Sequence, residues 1–373
     1  MIQFKATKRI DIKVFSFFAG VGFLDLGFEN AGFDVAFVNE FSKSFLSAYK
    51  YARRHCTKYP KYGYSNNSAE EFLNNTRWKK TFPDYYSRTK ELIGFIGGPP
   101  CPDFSIAGKN EGENGKNGQL TGVYFNLIKK RQPDFFVFEN VKGLYQTKKH
   151  REFYERMKES LMKDYSLYDS LENAIEYGVP QYRERLLLIG FKKEIFSTKK
   201  EFIIGANKKY LLSDIKTKNW PDMNAFAVDS HLEKPDNIIE ELTVDYWFRK
   251  NDVEHHLNSK DIFRVQNRER FNLIPEGDVA RKSFKRLHRW RYSPTAAYGN
   301  NEVHLHPYKA RRISVSEALA LQSLPKDFEI QPELTLSEKF KMVGNGVPYL
   351  LALSVAQNLK QYIIDCAKEG FCD

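Results

Sequence analysis

Short apolar runs alternate with amphipathic segments along the first half of the chain, and each run stops at polar or conformationally special residues. Residues 10–18, 35–38, 92–96, 135–138 and 186–191 read as strands, with helical spacing over 23–31, 42–54, 124–131 and 150–162. That order predicts an α/β fold: a doubly wound, mostly parallel sheet covered by helices. Ligands in such sheets bind beyond the carboxyl ends of the strands, so the residues that close each run are the candidate functional groups.

From residue 192 to 289 the alternation gives way to charged, irregular sequence, which predicts a smaller inserted domain. Residues 1–191 and 290–373 then form the main domain. Its second part carries helices over 314–322, opened by a Ser314–Glu317 capping box, and over 347–366. The glycine-rich polar stretch 108–122 reads as a mobile loop.

The four cysteines (Cys56, Cys101, Cys366, Cys372) lack metal-ligand spacing, which points to a reduced, intracellular protein. No apolar signal core opens the chain and no run reaches membrane-spanning length, so a soluble, cytoplasmic protein is expected. Lys and Arg number 58 against 47 Asp and Glu, a net charge of +11 that suits a polyanionic partner. His231, His255 and His256 have no partner at metal spacing and read as surface or base-reading residues.

Residues 97–105, G-G-P-P-C-P-D-F-S, follow a strand directly. Glycine and proline end the strand in a stiff turn, which holds Cys101 at the sheet's edge facing a cleft. The alternative is a small buried hydrophobe. A thiol there becomes a nucleophile only beside positive charge or a base. F-F-A-G-V-G (17–22) joins a strand to a helix through a tight glycine turn, where a ligand can approach the backbone. Glu40, closing the next strand, has the position of an acceptor for ribose hydroxyls, or of an exposed loop carboxylate. Glu139 follows F-V-F, so partial burial should raise its pKa toward a general acid's range; the alternative is a helix-capping or salt-bridged carboxylate. Arg183 and Arg185, two apart in extended chain, point the same way, into the cleft or into solvent.

Read in order, F-A-G-V-G, N-E, G-G-P-P-C, E-N-V, G-V-P-Q-Y-R-E-R, S-P-T, R-R-I-S-V-S-E-A-L-A-L-Q-S-L-P and V-G-N-G-V-P resemble the cytosine-5 DNA methyltransferases, over about residues 8–359. The resemblance implies a Rossmann-like methyltransferase fold with an inserted target-recognition domain. It implies a single-chain, monomeric prokaryotic or phage enzyme that methylates carbon 5 of a flipped-out cytosine in double-stranded DNA. S-adenosylmethionine would supply the methyl group, with no metal. Cys101 matches the nucleophile that adds to carbon 6, Glu139 the acid at ring nitrogen 3, and Arg185 the contact to the cytosine carbonyl. Arg183 matches a partner near the catalytic loop, and Asn140 should steady the neighbouring backbone.

Cofactor contacts are expected from Phe18, Ala19, Gly20, Gly22, Phe23, Glu40, Asn67, Pro99, Asn345 and Val347. DNA contacts are expected from Ser105 and Gln181. The basic-aromatic run 280–292, A-R-K-S-F-K-R-L-H-R-W-R-Y, adds Arg286, Arg289 and Arg291. A restriction endonuclease acting on the same site is a candidate partner. The chain departs from the family at Pro102, where Gln is usual, at Asn67, where an acid is expected, and at Ser314, where Thr is common. A tRNA cytosine-5 methyltransferase and an inactive DNA-binding homologue are the alternatives. The first lacks its C-F-T motif here, and the intact Cys101, Glu139 and Arg185 oppose the second.

Overall fold

The structure, a computed structural model, describes residues 11–88, 91–100, 116–196, 200–265, 268–281, 283–296, 298 and 303–369. Seven strands form one sheet: β1 (Asp11–Phe17), β2 (Asp34–Asn39), β3 (Tyr64–Ser65), β4 (Glu91–Gly97), β5 (Phe135–Val141), β6 (Tyr165–Asn173) and β7 (Glu184–Lys192). Their order is β3-β2-β1-β4-β5-β7-β6. β7 runs antiparallel to both its neighbours, and the other pairings are parallel.

Strand periodicity sorts the side chains. Ile12 and Val14 of β1 point to one face, under the helix Tyr349–Glu369 and α1 (Phe23–Asn30). Phe15 and Phe17 point to the other, where Phe37, Trp78, Phe82, Phe95, Phe136 and Phe138 make an aromatic layer. Phe15 stacks on Phe82 at 4.7 Å between ring centroids. Much of the chain's aromatic content is therefore core. A third cluster joins Val244, Trp247 and Phe248 of the irregular segment to Val21, Phe23, Ile313, Val315 and Phe340.

The strand order reverses direction between β1 and β4, and register places Phe17 beside Gly97 there. Gly97 in turn pairs with Phe138, and Val141 with Arg185. The turn after β1, the proline turn after β4, Glu139 near the end of β5 and the start of β7 therefore gather at one edge.

The expected strands and helices are present with their ends moved by a few residues, with one larger difference. The helix expected from 124 begins at Lys116 (Lys116–Arg131), so residues 116–122 are helical rather than loop. Its buried residues Tyr124, Phe125, Leu127 and Ile128 pack on the sheet, and Tyr124 Oη donates to the Val137 carbonyl at 2.8 Å. That packing outweighs the poor helix propensity of its glycines. Residues 108–115 lie outside the described residues. β3, β6 and the helices Val244–Lys250 and Leu336–Asn345 were not expected, although Thr335 and Glu338 form a full capping box before the last. The Ser314–Glu317 box is present as expected.

Candidate active site

Glu139 lies near the carboxyl end of β5 and Arg185 at the start of antiparallel β7, so the two meet across adjacent strands. Arg185 Nε is 2.9 Å from Glu139 Oε1, and both side chains are almost fully buried. Burial pushes the Glu139 carboxyl above the ordinary range, while Arg185 and, more weakly, Arg183 pull it back down. Gly98 closes this arrangement from the β4 side. A Cβ there would lie 2.7 Å from Glu139 Oε2, so the second glycine of G-G-P-P makes room for the carboxylate. Asn140 reaches the same turn: its Nδ2 donates to the Pro99 carbonyl at 3.5 Å, and its Oδ1 accepts from Val141 N at 2.9 Å. Pro99 is itself buried. Cys101 and Ser105, which follow this turn, lie outside the described residues, as do Pro102 and Cys372.

Arg183 is placed differently from expectation. It is fully buried, and its guanidinium donates to the carbonyls of Ala296 (2.8 Å), Gly344 (2.6 Å) and Gly346 (3.1 Å). Those carbonyls fix it as a brace between the P-Q-Y-R-E-R segment and V-G-N-G-V-P, not as a group facing the cleft. Gln181, also fully buried, donates to the Leu321 carbonyl and accepts from Ala296 N and Arg183, so the expected DNA contact gives way to an internal one.

Around the turn after β1, Glu40 holds the front. Its Oε2 accepts from Gly20 N and its Oε1 from Ser42 N, both at 2.8 Å. A carboxylate has lone pairs beyond these two, so it can still accept hydroxyl donors. Burial raises its pKa, against those two backbone bonds. Phe18 sits half-buried at φ 55° with its ring edge-on to Tyr124. Among the described residues nothing stands within 4 Å of where a Cβ on Gly20 would be, so that side of the turn is open. An open glycine turn, a half-buried ring and an acceptor carboxylate fit a nucleoside-bearing ligand. Asn67 follows β3 at the same edge, where its carbonyl accepts from Asn39 Nδ2 at 2.9 Å.

Phe23 departs from expectation: its side chain is buried against Phe328 and Gly346, which leaves only its backbone for a ligand. Val347 is likewise buried, and Asn345 is exposed at the end of its helix. One residue was missed. Phe41, next to Glu40, is 71% exposed, a large apolar surface left at the mouth of the turn; its sequence signal was an aromatic directly after N-E.

Behind the turn lies a buried polar group that sequence reading also missed. Asp25 accepts from Ser16 Oγ (2.8 Å) and Tyr49 Oη (2.9 Å). Burial raises its pKa from 3.8 to about 6, opposed chiefly by Arg53. The folded protein then holds this proton more tightly than the unfolded chain. The contribution is therefore most favourable below pH 3.8 and is lost as pH rises through about 6, by about 3 kcal/mol in all. Asp25→Asn should remove that falling component, read as the difference between variant and parent urea-unfolding stabilities across this pH range.

Within the basic run 280–292, Arg286 and Arg289 are buried, whereas Arg281 is exposed and Lys285 is half-buried. Arg286 stacks over Phe226 at 3.6 Å and donates to the carbonyls of Ile274 and His306. Arg289 makes a bidentate pair with buried Glu276 at 2.9 and 2.8 Å and also holds Ser230. Arg286 and Arg289, expected at the DNA, instead brace the segment from within, each spending its donors on internal acceptors. Arg291 is half-buried, near the Pro221 carbonyl. His231 and His255 are exposed, whereas His256 is half-buried against the Phe328 carbonyl. Among the described residues no group of three or more His, Cys, Asp or Glu could hold a metal ion, and no helix is long and apolar enough to cross a membrane.

Comparison with known proteins bears on this geometry. The model of the family "C-5 cytosine-specific DNA methylase" matches residues 12–361. The Type II methyltransferase M.NmeDI of Neisseria meningitidis serogroup C is 53% identical over 356 residues, covering 94% of this chain and 84% of that protein. M.FnuDI of Fusobacterium nucleatum, also a Type II methyltransferase, is 30% identical, covering 96% of each chain. Among solved structures, a prophage-encoded DNA modification methyltransferase from E. coli superposes with a TM-score of 0.61 at 23% identity, over 94% of this chain and 99% of that one. The S. pombe Dnmt2 methyltransferase shares the fold at a TM-score of 0.59 and 11% identity, over 96% and 99%. With its strand-end motifs in this order and a family match across nearly its whole length, the chain belongs to the C-5 cytosine-specific DNA methylases.

Proposed function

We propose that this chain is a site-specific DNA methyltransferase that uses Cys101, Glu139 and Arg185 to activate a flipped-out cytosine at carbon 6 and methylate it at carbon 5. The observation that carries the residue assignment is the buried Glu139–Arg185 pair, packed against the G-G-P-P turn that leads into Cys101. Carbon 5 of cytosine is a poor nucleophile. Addition of the Cys101 thiolate to carbon 6 moves electron density to carbon 5, and the ring accepts it most readily when Glu139 delivers a proton at nitrogen 3. A carboxyl with a raised pKa keeps that proton. Arg185 supplies positive charge that favours the thiolate and the polarised ring carbonyl. After methylation a base takes the proton from carbon 5; the electron pair left behind closes the 5,6 double bond and expels the Cys101 thiolate, and nitrogen 3 returns its proton to Glu139. S-adenosylmethionine supplies the methyl group when bound, and Glu40, Phe18, the backbone of Ala19, Gly20 and Gly22, and exposed Phe41 are the residues that would hold it. The base must leave the duplex to reach this edge, at a cost of a few kcal/mol.

We assign target recognition to residues 192–289, and base reading within it to residues 221–231. Arg286, Arg289 and Arg291 hold this loop through Phe226, Ser230 and Pro221, and Trp290 holds Leu232 just after it. Met223 and Val228 nonetheless stand 62% and 55% exposed on it. Trp220 packs on Tyr292, which lies 6.4 Å from Tyr182 in the P-Q-Y-R-E-R segment, so the loop begins beside the catalytic edge. Exposed apolar side chains on a braced loop suit contact with base edges and thymine methyl groups. The relatives' printed names, Type II methyltransferases, support a Type II modification role; we extend this reading to a monomer acting on duplex DNA in a prokaryotic cytoplasm beside a restriction endonuclease.

Bisulfite sequencing of DNA from cells expressing the chain tests both readings. Protected cytosines are expected in one short sequence context. Replacing Met223, Val228 and His231 by alanine should relax that context or cut methylation about 10-fold or more. Protected cytosines found in tRNA from the same cells and absent from DNA would overturn the substrate assignment, and an unchanged context in the triple variant would overturn the loop assignment.

A further inference from the structure

Arg53, at the end of α2 (Lys43–Ala52), is buried directly behind the glycine turn. Its Nε lies 3.0 Å from both carboxylate oxygens of Glu29, at the far end of α1. Its Nη2 donates to the Gly22 carbonyl at 2.8 Å, and its Nη1 reaches the Val21 carbonyl at 3.4 Å. The guanidinium stacks on Tyr49 at 3.9 Å, and Tyr49 is fixed by its hydrogen bond to Asp25. Gly22 has φ 82°, and a Cβ on it would lie 2.4 Å from the Tyr49 ring and 2.6 Å from Arg53 Nη1. The turn is pressed onto this pair so closely that only glycine fits.

We propose that Arg53 is the positioning residue of the methyl-donor site: by fixing the Val21 and Gly22 carbonyls from behind, it aims the turn's amide donors at S-adenosylmethionine. The inference rests on the reading of this turn as the donor site. The peptide unit is planar and trans, so a Gly22 carbonyl held toward Arg53 turns the Phe23 N–H the opposite way. That N–H is the first of α1 and has no intrahelical acceptor. Glu40 fixes Gly20 N from the front, and Arg53 fixes two carbonyls from the rear. The turn is clamped on both sides, and among the described residues the space beside Gly20 is left to a ligand. Glu29 completes the device by holding the guanidinium plane in register with α1. A lysine has neither the fork nor the stacking face to hold Glu29, Gly22 and Tyr49 together.

Calorimetric titration of the full-length protein with S-adenosylmethionine and with S-adenosylhomocysteine tests this, alongside duplex affinity and thermal melting. For Arg53→Gln, both nucleoside ligands should bind about 10-fold or more weakly. DNA affinity should stay within about twofold, and kcat at saturating donor within about threefold, so the loss appears in KM for the donor. Arg53→Lys should recover part of the affinity. Glu29→Gln, which leaves Arg53 in place but loosens it, should give a smaller loss in the same direction, and it decides the matter if Arg53→Gln does not fold. Unchanged donor affinity in a folded Arg53→Gln, or in Glu29→Gln if that is the variant that folds, would overturn the proposal. So would donor and DNA affinities falling together with the folded fraction. If the parent protein itself binds neither nucleoside, the donor-site reading fails and this inference with it.

Discussion

Cys101→Ala is expected to lower methyl transfer to plasmid DNA by on the order of 10⁴-fold or more, to the background of a tritium-incorporation assay. The size follows from the chemistry: without a thiolate on carbon 6 there is no enamine-like intermediate, and carbon 5 must attack as part of an intact aromatic ring. Duplex binding should survive, because the contacts to phosphate and groove are independent of one sulfur atom. The parent enzyme should also form a stable adduct with DNA carrying 5-fluorocytosine. There the methylated intermediate bears fluorine where a proton must leave, so the thiolate is not expelled. A gel-stable complex from the parent, and none from Cys101→Ala, is the expected pair of results. No adduct from the parent, or residual activity above about 1% in the variant, would remove Cys101 from the mechanism.

The strand-end motifs were legible because a parallel sheet delivers the ends of its strands to one edge whatever their separation in sequence. Phe17 and Gly97 are neighbours by register, and Glu139 and Arg185 by an antiparallel pairing that follows from β7 entering from the opposite direction. What sequence could not give was the destination of a charged side chain. The run 280–292 has the same pattern whether its cations face water or a partner. Arg286 and Arg289 turn inward only because the fold brings Glu276, Phe226 and the carbonyls of Ile274 and His306 to them. The same holds for Arg183, whose three carbonyl partners lie more than a hundred residues away. Asp25 and Arg53 were invisible for a like reason, since α1 and α2 read as ordinary amphipathic helices until the sheet sets them side by side. β6 escaped because its residues Ser166 to Leu171 are half-buried and include Asp169, so no apolar run marks it.

The second large effect separates the two charged groups at the edge. Glu139→Gln should lower kcat by about 10²- to 10³-fold, because an amide can hold Arg185 and donate a hydrogen bond but cannot release a proton to the ring. Arg185→Ala should lower it by about 10²-fold or more through loss of positive charge beside the thiolate and ring carbonyl. The pH profiles distinguish acid from electrostatic stabiliser. Activity requires protonated Glu139, so on the basic side the rate falls as pH rises through the pKa of that group. Arg185 is the largest influence holding that pKa down against burial. Removing it raises the pKa further, and the basic limb set by Glu139 should move to higher pH even as the maximal rate drops. In Glu139→Gln that limb should disappear, because the group that titrates is gone. If Arg185→Ala instead moved the limb to lower pH, or Glu139→Gln kept it in place, the titrating acid would be another group, and the buried pair would be a structural tie between β5 and β7.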